Sequence, residues 1–230
     1  MRKDIEVIAF DADDTLWINE PKFRETEEKF CQLLKDHLPA ETVSAELYKT
    51  ETANMALYGY GAKAFVLSMI ETLLRITDHR TGAELVQKVI AMGKELLQQP
   101  VEVLDGVKEV LIQLNGNYRL VVATKGDLLD QERKLLHSGL EEHFHHIEIM
   151  SDKQTDNYRK LLKNIGCQPE HFLMVGNSLK SDVLPVLELG GYAVHIPFHV
   201  TWAFEEVENT IDSPRFLEAK HISELLTMLA

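Results

Sequence analysis

The sequence has few cysteines and no long hydrophobic run. Its two cysteines, Cys31 and Cys167, are too few for a disulfide framework, so a reducing, cytoplasmic location is expected. No apolar stretch approaches the roughly 20 residues that a membrane span requires. The apolar run within residues 1–10 is shorter than a signal peptide requires and is interrupted by Asp4 and Glu6. We therefore expect a soluble protein that does not cross a membrane.

Basic residues are also scarce. The chain has 24 Lys and Arg residues against 37 Asp and Glu residues, which gives a formal net charge of −13. Because proteins bind nucleic acids and anionic membranes largely through Lys and Arg, this charge argues against both as partners. It does not exclude a small anionic substrate, since a metal and local donors can reverse the potential inside one pocket. The sequence predicts no particular oligomeric state.

Apolar residues are plentiful, at 45% of the 230 residues, which suffices for one large domain or a core domain with an inserted one. Five short apolar runs predict buried strands, and helical patterns separate the later ones. This alternation predicts βαβ units and an α/β fold with a Rossmann-like parallel sheet, covered on both faces. The predicted strands are residues 5–10, 119–124, 146–150, 172–176 and 192–196, and the predicted helices are residues 128–140, 157–165 and 179–189.

Residues 23–99 break this rhythm. They contain no strand-like run, and their apolar positions recur at helical spacing, which predicts a small bundle of three to five helices. The bundle interrupts the chain after the first strand, so it is an insertion into the α/β core. We therefore predict a core domain of residues 1–18 and 100–230 and an inserted α-helical domain of residues 19–99.

A cluster of acidic residues follows the first predicted strand. Asp11, Asp13 and Asp14 come directly after it, where the carboxyl ends of parallel strands bind ligands. Grouping carboxylates there costs electrostatic energy unless a cation or a proton relieves it. In an extended backbone Asp11 and Asp13 face the same way, and such a pair can supply a nucleophile and a general acid–base with Mg²⁺ screening both. The alternative is an acidic helix N-terminus, with an Asp capping the turn around Thr15.

Three later strands also end in polar residues. Thr124 closes the second strand, where its hydroxyl and the amides of Lys125 and Gly126 could hold phosphate oxygens. Lys153 follows the third strand and supplies a cation for an anionic group. The fourth strand leads into a polar turn, residues 176–182. Together these residues indicate a phosphate and metal site at one edge of the sheet.

The ordered set resembles the haloacid dehalogenase (HAD) superfamily of aspartate-nucleophile phosphohydrolases. Residues 11–15 match its DxDxT motif, Thr124 its second motif and Lys153 its third. Residues 176–182 match the fourth motif, with Asn177 in place of the usual Asp. The helical insertion between the first two motifs looks like the C1-type cap of that superfamily, so the resemblance covers nearly the whole chain.

The resemblance implies a Mg²⁺-dependent phosphatase that hydrolyses a small phosphorylated metabolite through an aspartyl-phosphate. Asp11 would attack phosphorus, while Asp13 would protonate the leaving oxygen and then deprotonate the hydrolytic water. Thr124 and Lys153 would hold the phosphoryl group. The Asp11 carboxylate, the Asp13 main-chain carbonyl and Asn177 would bind Mg²⁺. An oxygen-rich pocket suits Mg²⁺, and phosphoryl transfer depends mainly on positioning and charge stabilisation.

Two positions depart from the superfamily pattern. The Asn177 oxygen is a legitimate but neutral ligand, so we predict weaker Mg²⁺ binding, with Ser178 orienting the turn and Asp182 adding charge through a water or a hydrogen bond. Lys125 stands where an Asn is common, and it could add positive charge near the phosphate or be a solvated lysine. Lys160 is a rival for the lysine of the third motif, although it falls inside a predicted helix.

The predicted substrate contacts are less sharply defined. Within residues 55–65, Tyr58, Tyr60 and Lys63 alternate with glycines, which indicates either a loop facing the active site or an ordinary turn between helices. Trp17 could line the entrance to the site or pack at the junction with the insertion.

A second stretch that could reach the site follows the last predicted strand. Residues 197–208 could bring His199 or Trp202 near the site mouth, or form a surface loop that leads into a helix.

Three other functions are compatible with parts of the pattern. A phosphomutase of the same superfamily would need a cap residue that shields the aspartyl-phosphate from water, and none stands out. A phosphoreceiver-like module also gathers acids, a Thr and a Lys around Mg²⁺, but it needs no large helical insertion. A scaffold protein that has lost catalysis would not need to retain Asp11, Asp13, Thr124 and Lys153.

Overall fold

The computed structural model describes residues 4–205, 207 and 211–230. Its strands are β1 (Val7–Phe10), β2 (Arg119–Lys125), β3 (His146–Met150), β4 (Phe172–Gly176), β5 (Tyr192–His195) and β6 (Phe216–Glu218). Its α-helices are α1 (Glu20–Leu33), α2 (Ala40–Tyr58), α3 (Ala62–Ile76), α4 (Ala83–Gln98), α5 (Val107–Leu114), α6 (Leu128–Ser138), α7 (Thr155–Ile165), α8 (Leu184–Glu188) and α9 (Glu224–Leu229). No helix in these described ranges combines the length and apolar content that crossing a bilayer requires.

The six strands form one parallel sheet in the order β3-β2-β1-β4-β5-β6. Strand β1 is central, and its Ile8 pairs with Leu120 of β2 on one side and with Leu173 of β4 on the other. All strands point the same way, so their carboxyl ends lie along one edge. The predicted Rossmann-like α/β class is confirmed, although the three-residue, partly exposed β6 was not predicted.

Both faces of the sheet are covered, because alternate residues of the central strand enter different cores. Ile8 and Phe10 belong to a core with residues from α5 and α9, whereas Val7 and Ala9 belong to a core with residues from α7. All four side chains are fully buried. Each large aliphatic or aromatic side chain buried in this way contributes roughly 1.5–3 kcal/mol, which explains the nearly continuous apolar runs.

The chain forms two compact units. The core unit comprises the described residues of Met1–Glu20, Val101–Lys125 and Gln131–Ala230, and the helical unit comprises Pro21–Pro100 and Gly126–Asp130. The helical unit contains the four helices α1 to α4 and has its own core of side chains such as Phe30, Leu47 and Met69. It also takes in residues 126–130, which the sequence places with the core domain.

The predicted helix over residues 179–189 is divided. One π-helical turn, Leu179–Val183, precedes α8, whose second residue is Pro185. Proline lacks an N–H and is tolerated in the first turn of a helix but not in its interior, so the chain restarts its helix there. After β5, residues 203–205 form a short 3-10 turn, while residues 206 and 208 of the predicted stretch 197–208 lie outside the described residues.

Candidate active site

The three acidic residues after β1 have separate positions. Asp14 has a left-handed backbone with φ 61°, and its carboxylate accepts the main-chain N–H groups of Asn19 at 2.8 Å and Glu20 at 2.9 Å. It therefore caps the start of α1, a few residues beyond the turn around Thr15 that the alternative interpretation named. Asp11 and Asp13 take no part in that cap and face other polar groups of the core unit.

Asp11 lies in a buried charge cluster at the carboxyl edge of the sheet. Its main-chain N–H donates to the Val175 carbonyl at 2.9 Å, which extends the pairing of β1 with β4. Lys153 Nζ donates to Asp11 Oδ1 and, at 2.7 Å, to Asp182 Oδ1. The Lys153 and Asp182 side chains are each only 1% exposed. Because isolated charges are costly to bury, these three groups depend on one another. Lys160 is exposed on α7, so Lys153 is the lysine that contacts Asp11.

Within this cluster, burial and the contact between opposite charges shift the pKa values of Asp11 and Lys153 in opposite directions. Burial raises the pKa of the Asp11 carboxyl above its usual range, although Lys153 works against that shift. Burial works to lower the pKa of Lys153, but Asp11 and Asp182 outweigh it and hold that pKa above its ordinary value. Lys153 is therefore a cation at neutral pH, and it could compensate negative charge on Asp11 and on an anionic ligand bound beside it.

The turn after β4 requires a glycine and positions Asp182. A Cβ added to Gly176 would lie 2.2 Å from Asp182 Oδ2, a separation that no side chain can occupy. That oxygen accepts the Ser178 main-chain N–H at 3.0 Å, while the other oxygen binds Lys153. Asp182 thus acts on the turn and on the lysine through direct hydrogen bonds, with both oxygens engaged.

Asn177 brings its amide against three oxygen atoms of the first motif. One terminal atom of the amide lies 3.2 Å from the Asp13 main-chain oxygen, 3.2 Å from Asp11 Oδ2 and 3.3 Å from Thr15 Oγ1. With nitrogen at that position, the amide donates hydrogen bonds to all three. With oxygen there, oxygens of Asp11, Asp13 and Asn177 converge on one point. His195 Nε2 steadies the turn by donating to the Asn177 carbonyl at 3.0 Å.

This convergence fits a Mg²⁺ ion. Octahedral Mg²⁺ with ligands at about 2.0–2.1 Å places neighbouring ligand oxygens about 3 Å apart, close to the separations around Asn177. The donor set is one carboxylate, one main-chain carbonyl and one amide. In the part of the chain that the structure describes, no three His, Cys, Asp or Glu side chains come together as metal ligands.

The Asp13 side chain is held by three nitrogen donors. Trp17 Nε1 donates to its Oδ1 at 2.8 Å, Lys134 Nζ to the same oxygen at 2.6 Å, and Gln131 Nε2 to Oδ2 at 3.0 Å. Trp17 is only 1% exposed, so it lies in the packed interior rather than at an open entrance. Gln131 and Lys134 were not predicted. They lie three residues apart on α6, which places them on one helix face. That spacing is the sequence signal from which the pair could have been identified.

Gln131 also links Asp13 to the end of β2. Its Nε2 donates to Thr124 Oγ1 at 2.9 Å and to the Lys125 carbonyl at 2.9 Å, while its Oε1 is buried and has no hydrogen-bond partner among the described residues. The Thr124 hydroxyl accepts from Gln131 and donates to the Lys125 carbonyl at a long 3.5 Å, a weak bond that a phosphoryl oxygen could replace. Gly126, predicted as a phosphate contact, belongs to the helical unit.

Lys125 is not the solvated lysine of the alternative interpretation. Its side chain is only 15% exposed, and Nζ forms an ion pair with Glu205 and donates to Ser181 Oγ at 2.8 Å. Its predicted contact with phosphate stays a prediction. Glu205 was not singled out by the sequence.

Two of the predicted substrate residues of the helical unit, Tyr58 and Lys63, have partners within that unit. Tyr58 donates its hydroxyl to Glu71 at 3.0 Å, and Lys63 contacts both carboxylate oxygens of Asp127 at 3.0 Å. Tyr60 is half-buried. A role in substrate binding stays a prediction for all three.

Curated relatives show partial similarity to this chain. A glyceraldehyde 3-phosphate phosphatase of Methanothermobacter thermautotrophicus is 30% identical over 125 residues, 50% of this chain and 55% of that protein. A protein of the same name from Pyrococcus abyssi is 27% identical over 197 residues, 81% of this chain and 79% of that protein. The first match thus spans about half of either chain.

A solved structure and a family model match more of the chain. The crystal structure of a haloacid dehalogenase-like family hydrolase from Xanthomonas campestris superposes with a TM-score of 0.89 and 36% identity, covering 100% of this chain and 93% of that one. The model of the haloacid dehalogenase-like hydrolases matches residues 5–190. This range includes every residue of the four predicted motifs, and the chain is therefore a hydrolase of the haloacid dehalogenase-like family.

Proposed function

We propose that the protein is a Mg²⁺-dependent phosphatase that hydrolyses a small phosphorylated metabolite through an aspartyl-phosphate on Asp11. The observation that carries this proposal is the buried bridge of Lys153 between Asp11 and Asp182. A buried cation touching a candidate nucleophile suits a reaction that brings a phosphate dianion to a carboxylate. The names of the curated relatives support phosphate-ester chemistry, at identities of 24–30%.

In the first step the Asp11 carboxylate attacks phosphorus, and the bond between phosphorus and the leaving oxygen breaks. Asp13 gives its proton to that oxygen, so the product leaves as an alcohol. Lys153 and the Thr124 hydroxyl hold the phosphoryl oxygens as charge moves onto the leaving group. Asp11 then carries the phosphoryl group as a mixed anhydride.

In the second step water attacks phosphorus of the aspartyl-phosphate. Asp13, now ionised, takes a proton from that water, and the phosphorus–Asp11 bond breaks. Inorganic phosphate leaves, Asp11 returns to its carboxylate form and Asp13 is again protonated. Trp17, Gln131 and Lys134 orient the Asp13 side chain through both transfers.

The metal would be held by the Asp11 carboxylate, the Asp13 main-chain carbonyl and the Asn177 amide oxygen. When bound, Mg²⁺ neutralises charge on the phosphoryl group and on the nucleophile. Ser178 and Asp182 would support the ligands from the turn, as their hydrogen bond at 3.0 Å suggests.

We further propose a small phosphorylated metabolite as the partner and the cytoplasm as the location. The net charge of −13 disfavours nucleic acid and anionic membranes, and Cys31 and Cys167 are free and buried, as in a reducing compartment. We infer that the helical unit is the cap that selects the substrate, with Tyr58, Tyr60 and Lys63 as its candidate contacts.

A substrate panel tests this function. The purified protein is incubated with p-nitrophenyl phosphate and with triose, sugar and nucleoside phosphates, with Mg²⁺ and with EDTA. We expect Mg²⁺-dependent phosphate release that falls by about 10³-fold or more in Asp11→Asn, because the amide cannot act as the nucleophile. An Asp14→Asn variant with the same charge change is the matched control and should retain most of the activity.

Other outcomes would replace the proposal. Isomerised sugar phosphate without release of phosphate would indicate a phosphomutase. Stable autophosphorylation from acetyl phosphate without turnover would indicate a phosphoreceiver-like module, and no reaction with any of these compounds would favour a scaffold. Turnover that survives Asp11→Asn would refute the mechanism.

A further inference from the structure

Glu205 joins two parts of the candidate site that are distant in sequence. One carboxylate oxygen pairs with Lys125 Nζ at the end of β2. The other accepts the hydroxyls of Ser178 and, at 2.6 Å, Ser181 in the turn after β4. The Glu205 side chain is only 11% exposed. A single carboxylate therefore connects the phosphate-binding strand end to the turn that presents Asn177.

The segment that carries Glu205 is attached to the same turn. Lys180 Nζ donates to the Phe204 carbonyl at 2.8 Å and lies 3.4 Å from the centre of the Phe204 ring. The Trp202 and Phe204 rings pack with centroids 5.1 Å apart. These contacts hold the backbone beside Glu205 against residues 179–183.

Glu205 is ionised in this setting. Burial works to raise its pKa, but the Lys125 ammonium and the hydroxyls of Ser178 and Ser181 outweigh burial and hold that pKa below the ordinary value. The Ser178 hydroxyl, which donates to Glu205, also accepts the Ser181 main-chain N–H at 3.0 Å. The carboxylate thus orients the hydroxyl that closes the turn.

Of the two departures from the superfamily pattern, Lys125 pairs with this carboxylate directly, and Asn177 directly precedes Ser178, whose hydroxyl donates to it. Lys125 adds a positive charge beside Thr124, and Asn177 removes a negative charge from the neighbouring turn. Left unneutralised, Lys125 would attract phosphate strongly and slow its release. Glu205 cancels that charge and also bonds to the residue directly after Asn177.

We propose that Glu205 is a positioning residue that neutralises Lys125 and thereby sets the affinity of the site for phosphate. The inference rests on the proposed phosphatase function, since it assumes that phosphate binds beside Thr124 and Lys153. It assigns a role to a residue outside the four motifs. Glu205 touches neither the substrate nor the reacting atoms and acts through Lys125 and Ser178.

A double-mutant cycle on Lys125 and Glu205 tests this role by the binding of inorganic phosphate in the presence of Mg²⁺, measured by calorimetry. Glu205→Gln removes the carboxylate that pairs with Lys125 and so raises the net positive charge beside Thr124, and we expect phosphate to bind about fivefold or more tightly. Lys125→Asn leaves the Glu205 carboxylate unneutralised, so we expect binding about fivefold or more weakly. The double variant should return to within about twofold of the wild type.

Matched controls separate this role from a merely structural one. Glu141 lies just ahead of β3, at the edge of the sheet opposite the one that carries the candidate site. Glu141→Gln should change phosphate affinity by less than about twofold, because solvent screens the distant charge. Glu205→Asp keeps the charge and should bind phosphate less tightly than Glu205→Gln. Circular dichroism confirms that each variant is folded.

The outcomes distinguish this inference from the proposed function. If the wild type binds phosphate but Glu205→Gln does not tighten it, or if both single variants change the affinity in the same direction, the role of Glu205 is refuted while the phosphatase stands. If the wild type neither binds phosphate nor releases it from any substrate, the proposed function fails instead.

Discussion

Asp11 and Asp13 are two residues apart, yet their side chains lie in contrasting surroundings. The Asp11 carboxylate is buried and shares Lys153 with a second carboxylate, Asp182, so its partners are charged. The Asp13 carboxylate is 26% exposed and is held by an indole, an amide and one ammonium group. Under the proposed mechanism, the comparison teaches that the nucleophile Asp11 and the acid–base Asp13 need different support. The first needs charge compensation, and the second needs orientation with access to a proton.

Removal of Lys153 should disrupt the charged surroundings of Asp11 and produce the largest effect on stability and on phosphate release. Lys153→Met leaves two buried carboxylates without a cation, so we expect a loss of about 3–5 kcal/mol in the free energy of unfolding, by analogy with other buried ion pairs. Urea denaturation measures that loss, and phosphate release should fall below detection. Lys160→Met is the control, since Lys160 is exposed on α7. Equal behaviour of the two variants would contradict the buried bridge.

Removal of Lys134 should disturb the surroundings of the Asp13 carboxylate with little loss of stability. Lys134→Met removes one of three donors and leaves Trp17 and Gln131 in place, so we expect kcat to fall about 10- to 100-fold, part of the effect of a general acid–base. The free energy of unfolding should change by no more than about 1 kcal/mol, because the ion pair is partly exposed. Lys134→Arg should recover part of kcat.

A matched surface variant provides the comparison for Lys134. Lys163→Met removes an exposed lysine from the last turn of α7 and should leave kcat unchanged. If Lys134→Met lowers stability as much as Lys153→Met, or leaves kcat at the wild-type value, the two surroundings do not differ as described.

A carboxylate at position 177 should sharpen the comparison by adding charge at the metal site. Asn177→Asp replaces a neutral amide oxygen with a charged ligand, so we expect Mg²⁺ to bind about 10-fold more tightly. Calorimetric titration of the substrate-free protein measures this without reference to turnover. The effect on phosphate release is smaller, since the nucleophile and Lys153 are retained. An unchanged Mg²⁺ affinity would mean that residue 177 is not a ligand.

Much of the core could be predicted from sequence because its central strands are buried on both faces. Residues 172–176 read as one apolar run and form β4 with those bounds. The motif residues were also recognisable, because they lie at or shortly after the ends of strands. The end of each apolar run is visible in the local sequence, and it marks where these side chains are placed. By contrast, β6 has three residues and little burial, so no periodic signal marks it.

The supporting residues were harder to predict, because three-dimensional packing determines their partners. Helical periodicity places Gln131 and Lys134 on one face of α6, but only the packing of α6 brings that face to Asp13. Glu205 lies 80 residues from Lys125 and in no regular strand or long helix. Lys125 and Asn177 stood out as departures, yet the link between them depends on a contact that no local pattern encodes.

Trapping the phosphoenzyme tests the central claim most directly. The protein is quenched in acid during turnover of p-nitrophenyl phosphate with Mg²⁺, digested and analysed by mass spectrometry. We predict that one phosphoryl group is found on the peptide that contains Asp11, and that Asp11→Asn abolishes it. A phosphoryl group on another residue, or full turnover with no phosphoenzyme at any quench time, would contradict the assignment of Asp11 as the nucleophile.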